Sequence, residues 1–111
     1  MVIDHRAYTL HSGTAAAFIE LFEKEGLEPQ QRILGNFMGI YRTEFGNINQ
    51  IIMMFAYADT AERQRRRDQL YKDPAFQAYL VKVRPFLKDQ QVSLLTPAKR
   101  SEEHTSELQS R

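Results

Sequence analysis

The sequence has no cysteine and no tryptophan, and its 111 residues include only 5 glycines. The absence of cysteine excludes disulfides, thiolate nucleophiles and cysteine-based zinc sites. The few glycines form no P-loop, no Gly-rich dinucleotide-binding turn and no nucleophile elbow. No apolar run approaches the roughly 20 residues that a membrane-spanning helix needs. What remains is a chain with the length and composition of one small domain and no familiar catalytic motif.

The sequence also lacks an excess of either charge, since 15 Lys and Arg stand against 14 Asp and Glu for a net charge of +1. A balanced chain has no general attraction to nucleic acid or to anionic membranes. Near the start, Asp4, His5 and Arg6 occupy positions where a secretory signal would need apolar residues. We therefore predict a cytoplasmic protein whose partners include neither nucleic acid nor a membrane.

Hydrophobic periodicity predicts the order βαββαβ, which is the ferredoxin-like arrangement of an α+β protein. Its four-stranded antiparallel sheet would have the helices on one face. The expected strands are 2–10, 36–45, 49–58 and 91–95, with helices at 15–26, 28–34 and from Asp59 onward. Asp73-Pro74 should break the last helical region. Its apolar stripe is Phe76, Tyr79, Leu80, Val83 and Leu87.

The third expected strand, QIIMMFAYA, is apolar on both faces. Such a strand must be covered on both sides, yet a chain of this length has enough helix to cover only one face of a four-stranded sheet. Another copy of the chain is the simplest cover for the second face. The sequence therefore predicts a homodimer.

Four arginines lie within five positions, at Arg63, Arg65, Arg66 and Arg67. No aromatic residue is interleaved to stack on a base, and acidic residues precede Arg63 and Arg66 by four positions. We interpret this segment as a solvated helix face and not as a nucleic-acid site.

Candidate site residues are few. The only histidines before the C-terminal segment are His5 and His11, without a carboxylate pair at ligand spacing, so no metal site is expected. If strands one and three are neighbours, Tyr8 comes close to the strand-three start. We predict a ligand site between helices and sheet, or alternatively a purely structural polar set, from Arg6, Tyr8, Asn49 and Gln50.

Three segments in chain order, HRAYTLHSG, GIYRTEFGNINQIIMMFAYAD and DPAFQAYLVKVRPFLKDQQVSLLTP, resemble the NIPSNAP family over residues 1–97. The family's Gly-x-x-Asn-Gln core is present as Gly46, Asn49 and Gln50. Phe55 and Phe76 stand where many relatives carry tryptophan, which is a conservative departure. The resemblance implies ferredoxin-like subunits that pair into a dimeric α+β barrel, without a settled reaction.

Related dimeric α+β barrels include cofactor-independent monooxygenases, haem-degrading enzymes and small isomerases. A haem-degrading reaction would need a helix-borne histidine as iron ligand, and the expected helices carry none. Three hypotheses stay open: a protein that binds a small polar or aromatic ligand, a monooxygenase or isomerase that needs no cofactor, and a structural or interaction module. No cofactor is predicted.

The expected domain is residues 1–98, and residues 99–111 form a separate tail. This tail has one large apolar residue, Leu108, and is predicted to be disordered. Residues 100–110 are also similar to an in-frame translation of a common sequencing-library adapter. Our hypothesis is that the tail is an assembly artefact, which removes His104 from the candidate site residues.

Overall fold

The computed structural model describes residues 1–98. The four strands are β1 (Val2–Leu10), β2 (Phe37–Arg42), β3 (Gln50–Tyr57) and β4 (Leu87–Leu95). The helices are α1 (Ala15–Leu21), α2 (Leu27–Leu34), α3 (Thr60–Lys72) and α4 (Pro74–Val83), with a π-helical turn at Phe22–Gly26 and a 3-10 turn at Arg84–Phe86. The predicted tail, 99–111, lies outside the described residues.

The strands form one antiparallel sheet in the order β2-β3-β1-β4. This order and the element sequence confirm the predicted ferredoxin-like α+β fold. β1 pairs with β3 from Val2 opposite Tyr57 to Thr9 opposite Gln50. β1 therefore lies in the sheet centre, with β4 on its other side.

All the helices pack on one face of the sheet. The β3 residues on this face are fully buried: Ile51, Met53, Phe55 and Tyr57. They meet Phe18 and Phe22 from the first helical region and Phe76, Tyr79 and Val83 from α4, which makes one continuous core. The apolar stripe predicted for the last helical region is thus confirmed from Phe76 to Val83.

Pro29 explains the π-helical turn that precedes it. A proline inside a regular α-helix has no N–H to donate, and its ring clashes with the carbonyl four residues earlier, here that of Glu25. The wide turn takes up this conflict, and Leu27 N–H bonds back to the carbonyl of Phe22. The helical region therefore continues through Pro29 to Leu34 instead of ending near Gly26.

The last helical region divides into α3 and α4 at Asp73-Pro74, as the sequence predicted. Asp59 caps α3 by accepting a hydrogen bond from Glu62 N–H at 2.8 Å. Asp73 caps α4 by accepting from Phe76 N–H at 3.0 Å, and Pro74 occupies the first turn. The prediction for Leu87 was wrong: Pro85 ends the helical path at a 3-10 turn, so Leu87 begins β4 and pairs with Leu10.

The opposite face of the sheet carries no helix in the described part of the chain. We name it the open face. On it the β3 residues Ile52, Met54 and Ala56 are half-buried, and Met38 and Tyr41 of β2 are 44% and 50% exposed. The second apolar face of β3 is therefore present as predicted, and no element of residues 1–98 covers it. Among residues 1–98, none of the helices has the length and apolar character needed to cross a bilayer.

Candidate ligand-binding site

The site begins with the polar residues of β1 that face the helices. Alternation along the strand places Asp4, Arg6 and Tyr8 on this face, opposite the apolar row of β3. Arg6 Nε donates to the Tyr8 hydroxyl at 2.7 Å, and Arg6 Nη1 lies 3.2 Å from Asp4 Oδ1. Asp4 has no exposed surface. Two charged groups are therefore buried in the middle of the sheet, where they need nearby partners.

The basic segment of α3 supplies those partners, and the interpretation of this segment as a solvated face was wrong for Arg63 and Arg67. Arg63 Nε donates to Asp4 Oδ2 at 2.8 Å instead of pairing with Asp59. Arg67 is only 4% exposed, and its guanidinium carbon lies 5.5 Å from the centre of the Phe55 ring. Arg65 is exposed, as the prediction required. A buried carboxylate on β1 therefore draws one side of a very polar helix into the core.

Arg66 behaves as the sequence predicted. Its Nε donates to Glu62 Oε1 at 2.9 Å, which is the expected acid-before-base pair four residues apart. Its Nη1 also donates to the carbonyl of Ile33 at 3.2 Å and so ties α3 to the end of α2. This arginine contributes to the packing of the helices and not to the cavity described next.

A cavity of about 180 Å³ lies between the sheet and the helices, beside this charged cluster. Its aromatic walls are Tyr8, Phe18, Tyr71, Phe76 and Tyr79. Its polar lining consists of Arg6, Arg67, Gln30, Arg84 and Gln90, and among the described residues no aspartate, glutamate or histidine lines it. Tyr71, Arg84 and Gln90 are exposed and mark the side where the cavity opens. The cavity is therefore aromatic, positively charged and accessible from outside.

Arg67 is the least satisfied group in this cavity. Its Nε and Nη2 are fully buried and have no hydrogen-bond acceptor among the described residues. The nearest carboxylate oxygen, Asp4 Oδ2, is 3.8 Å from Nε, which is beyond hydrogen-bond distance. Burial, followed by the cation of Arg6, lowers the pKa of Arg67, while Asp4 acts in the opposite direction. A buried guanidinium in this condition is a strong anchor for an incoming acceptor.

The phenol of Tyr79 stands in the same wall. Burial, and then the nearby Tyr8, raises the pKa of Tyr79, so that its hydroxyl stays protonated at neutral pH. With Arg67 and the amide of Gln30, it gives the cavity several hydrogen-bond donors. The arrangement suits a small molecule with an aromatic body and an oxygen-bearing end.

The four predicted site residues do not come together. Arg6 and Tyr8 line the cavity. Gln50 pairs with Thr9, so it belongs to the open face, and neither Asn49 nor Gln50 lines the cavity. Asn49 instead serves the loop before β3: its N–H donates to Asn47 Oδ1 at 3.1 Å and its carbonyl accepts from Leu10 N–H. Whether either amide binds a ligand stays a prediction.

Arg67 and Gln30 are two of the buried polar lining residues, and the sequence analysis predicted neither as a site residue. One signal was available, because Asp4 and Arg6 share the β1 face that packs on an apolar β3 row. A carboxylate on that face is buried by the helices and requires basic residues from them, and α3 is the helix that carries such residues.

In residues 1–98 there is no group of three potential ligands that could hold a metal ion.

Gly26 fixes the position of the Tyr79 ring, and this contact gives a first testable prediction. A Cβ at Gly26 would lie 2.6 Å from Cζ of Tyr79, so this buried ring, which lines the cavity, would have to shift. We expect Gly26→Ala to reduce the free energy of unfolding by about 1–3 kcal/mol. Urea denaturation measures it. Glu23→Ala, on an exposed position of the same turn, is the control, and an unchanged Gly26→Ala midpoint would contradict the assigned contact.

Comparison with known proteins identifies the family of this chain. The NIPSNAP family model matches residues 3–102. The chain belongs to the NIPSNAP family. A solved NIPSNAP family protein from Agrobacterium tumefaciens, Atu5224, is 29% identical with a TM-score of 0.87, and the match covers 90% of this chain and 95% of that one. A NIPSNAP-like domain protein from Burkholderia xenovorans is 33% identical with a TM-score of 0.85, covering 88% and 85%.

More distant structures share only the fold with this NIPSNAP protein. A variant of SnoaB, a cofactor-independent oxygenase from Streptomyces nogalater, is 16% identical with a TM-score of 0.62, and the match covers 88% of this chain and 93% of that one. No protein of curated function matches the sequence at a significant level. The family and the fold are therefore established by comparison, and the activity has to be argued from the cavity.

Proposed function

We propose that this NIPSNAP protein is a homodimer that binds a small polar or aromatic molecule in the cavity between helices and sheet. The observation that carries the binding function is the buried guanidinium of Arg67, which lines an aromatic cavity and has two nitrogens without an acceptor. Proteins keep a buried charge without a close partner at a cost in stability, which is tolerated where function requires it.

Self-association is supported by the open face. Ile52, Met54 and Ala56 form an apolar row there, flanked by the exposed side chains of Met38 and Tyr41. Apolar surface of this kind on a small domain is stabilised when a second copy covers it. The family resemblance, which implies dimeric α+β barrels, points to the same partner.

A catalytic role is the second candidate. The likeness to the oxygenase fold favours it, and a guanidinium pair such as Arg6 and Arg67 would stabilise an enolate oxygen. Proton abstraction needs a base, however, and no carboxylate or imidazole lines the described cavity. Binding without reaction is therefore the function that the lining residues support best.

Nucleic acid is not among the partners that we propose. Of the arginines in α3, Arg63 bonds to Asp4, Arg66 bonds to Glu62, and Arg67 is buried. A phosphate backbone is recognised by exposed cations along a surface. Among these four arginines only Arg65 is exposed.

Mass spectrometry of small molecules released from the gently purified protein tests the binding function. We expect a polar or aromatic compound that is released on denaturation. Leu80→Phe should remove it, because Leu80 lines the cavity and the larger ring would occupy part of its volume. Val81→Phe is the matched control, since Val81 is 69% exposed and lies outside the lining.

Two results decide the matter. Retention of the same compound by Leu80→Phe, at the stoichiometry of the unaltered protein, would place the compound elsewhere and oppose the proposal. A released compound that differs from the one supplied, for example by an added oxygen atom, would favour the catalytic candidate over simple binding.

A further inference from the structure

The charges around the cavity specify the class of ligand. Two arginines that line it, Arg6 and Arg67, are each more than nine-tenths buried, and Asp4 is the only buried acid among residues 1–98. Two buried cations and one buried anion leave one positive charge without compensation. Arg63 also bonds to Asp4, but its side chain is 22% exposed, so water screens part of its charge.

Asp4 attracts Arg67 but accepts no hydrogen bond from it. Its Oδ2 already accepts from Arg63 Nε at 2.8 Å and lies 3.3 Å from Arg6 Nη1. The distance to Arg67 Nε is 3.8 Å. Both oxygens of Asp4 therefore already accept from the other two arginines, and no acceptor among the described residues lies within hydrogen-bond distance of Nε or Nη2 of Arg67.

The size and walls of the cavity restrict what can supply it. A volume of about 180 Å³ is below the range of roughly 300–1,000 Å³ that is usual for drug-sized ligands. Phe76 and Tyr79 lie 6.0 Å apart in one wall, and Tyr8 and Phe18 meet edge to face at 6.2 Å in another. These walls suit one aromatic ring and leave little space for a long chain.

We propose that the ligand is a single-ring aromatic carboxylate whose acid group lies between Arg6 and Arg67, with its ring among the aromatic side chains. This inference rests on the proposed binding function and specifies the ligand of that same site. A planar guanidinium suits a carboxylate because two N–H groups can meet two oxygens, and one carboxylate supplies the single negative charge that is missing. Arg84, exposed at the opening, attracts the anion toward the cavity.

Benzoate and benzamide form the direct test, because they have nearly the same shape and differ in charge. Calorimetric titration of the full chain should show binding of benzoate that is roughly ten- to a hundredfold tighter than binding of benzamide, the ratio expected for a charge-assisted hydrogen bond. Equal affinities would show that the cavity binds rings without requiring an acid, which overturns this inference and leaves the binding function standing. Absence of binding by both, together with no compound released from the purified protein, would overturn both.

Arg67→Met gives a second readout that needs no ligand. Methionine fills similar space, keeps a contact with the Phe55 ring and removes the uncompensated charge. We expect benzoate affinity to fall by roughly ten- to a hundredfold while the melting temperature of the unliganded protein rises on the order of 5 °C. Arg65→Met, on an exposed position of the same helix, should change neither.

The opposite pattern would contradict the inference. A lower melting temperature with unchanged benzoate affinity would make Arg67 a purely structural residue. Should Arg67→Met fail to fold, Arg67→Lys keeps the charge and loses the planar fork, so weaker benzoate binding by Arg67→Lys is expected, and unaltered binding would count against a guanidinium–carboxylate contact.

Discussion

Asp4→Asn should destabilise the protein more than any other single substitution of a polar residue in the sheet. The change preserves the shape of the side chain and removes the one buried negative charge among the described residues, so that Arg6, Arg63 and Arg67 face one another without an acid. Breaking a buried ion pair in this way costs about 3–5 kcal/mol. Since domains are stable by only about 5–15 kcal/mol, this loss would remove a large share of the free energy of unfolding.

Urea denaturation followed by circular dichroism measures this loss. Asp68→Asn is the matched control, because Asp68 lies on the exposed side of α3 and accepts only from Gln64, at 2.9 Å. Its effect should stay within about 0.5 kcal/mol. A loss below about 1 kcal/mol for Asp4→Asn would refute the account of Asp4 as the centre of a buried charge cluster.

The same cluster predicts that the effects of substitutions at Asp4 and Arg67 on the free energy of unfolding are coupled, although the two positions are far apart in sequence. Removing a cation should relieve part of the repulsion, so the double variant Asp4→Asn/Arg67→Met is expected to be more stable than Asp4→Asn alone. Residues of one buried network usually show coupling energies of about 0.5–3 kcal/mol. Strict additivity of the two changes would mean that Arg67 does not sense the charge of Asp4.

The elements that sequence analysis predicted well carry local signals. β1 is a nine-residue segment rich in strand-forming residues, and Asp59 and Asp73-Pro74 are capping and breaking signals that act on their immediate neighbours. The doubly apolar β3 is likewise visible as a pattern within eight residues. Such features need no knowledge of the rest of the fold, because the residues that decide them are adjacent in the chain.

The candidate site could not be predicted to the same extent because its contacts are not local. Arg63 and Asp4 are separated by 59 positions, and nothing in the very polar sequence of α3 indicates that Arg67 is buried. Gln50 shows a different limit. The sequence correctly predicted that the start of β3 lies beside the end of β1. Gln50, however, pairs with Thr9 and not with Tyr8, and this offset of one residue places the Gln50 side chain on the face of the sheet opposite Tyr8.

Ile52→Asp should convert the proposed dimer into monomers. Ile52 is half-buried on the open face, between Ala7 of β1 and Tyr41 of β2, and its side chain points away from the helices. In an isolated subunit an aspartate there would be hydrated and tolerated. In a dimer that pairs two open faces it would place a carboxylate of each copy in an apolar interface, at a cost of several kcal/mol per ion.

Analytical ultracentrifugation at micromolar concentration distinguishes these cases. We expect the unaltered protein to sediment as a dimer and Ile52→Asp to sediment as a monomer with a lower melting temperature. Val81→Asp makes a comparable change on the outer side of α4, where the side chain is 69% exposed, and should leave the dimer intact. A monomeric unaltered protein with a stable melt, or an Ile52→Asp variant that still dimerises, would disprove pairing through the open face, because an apolar sheet surface would then be stable in water or the partner would lie elsewhere.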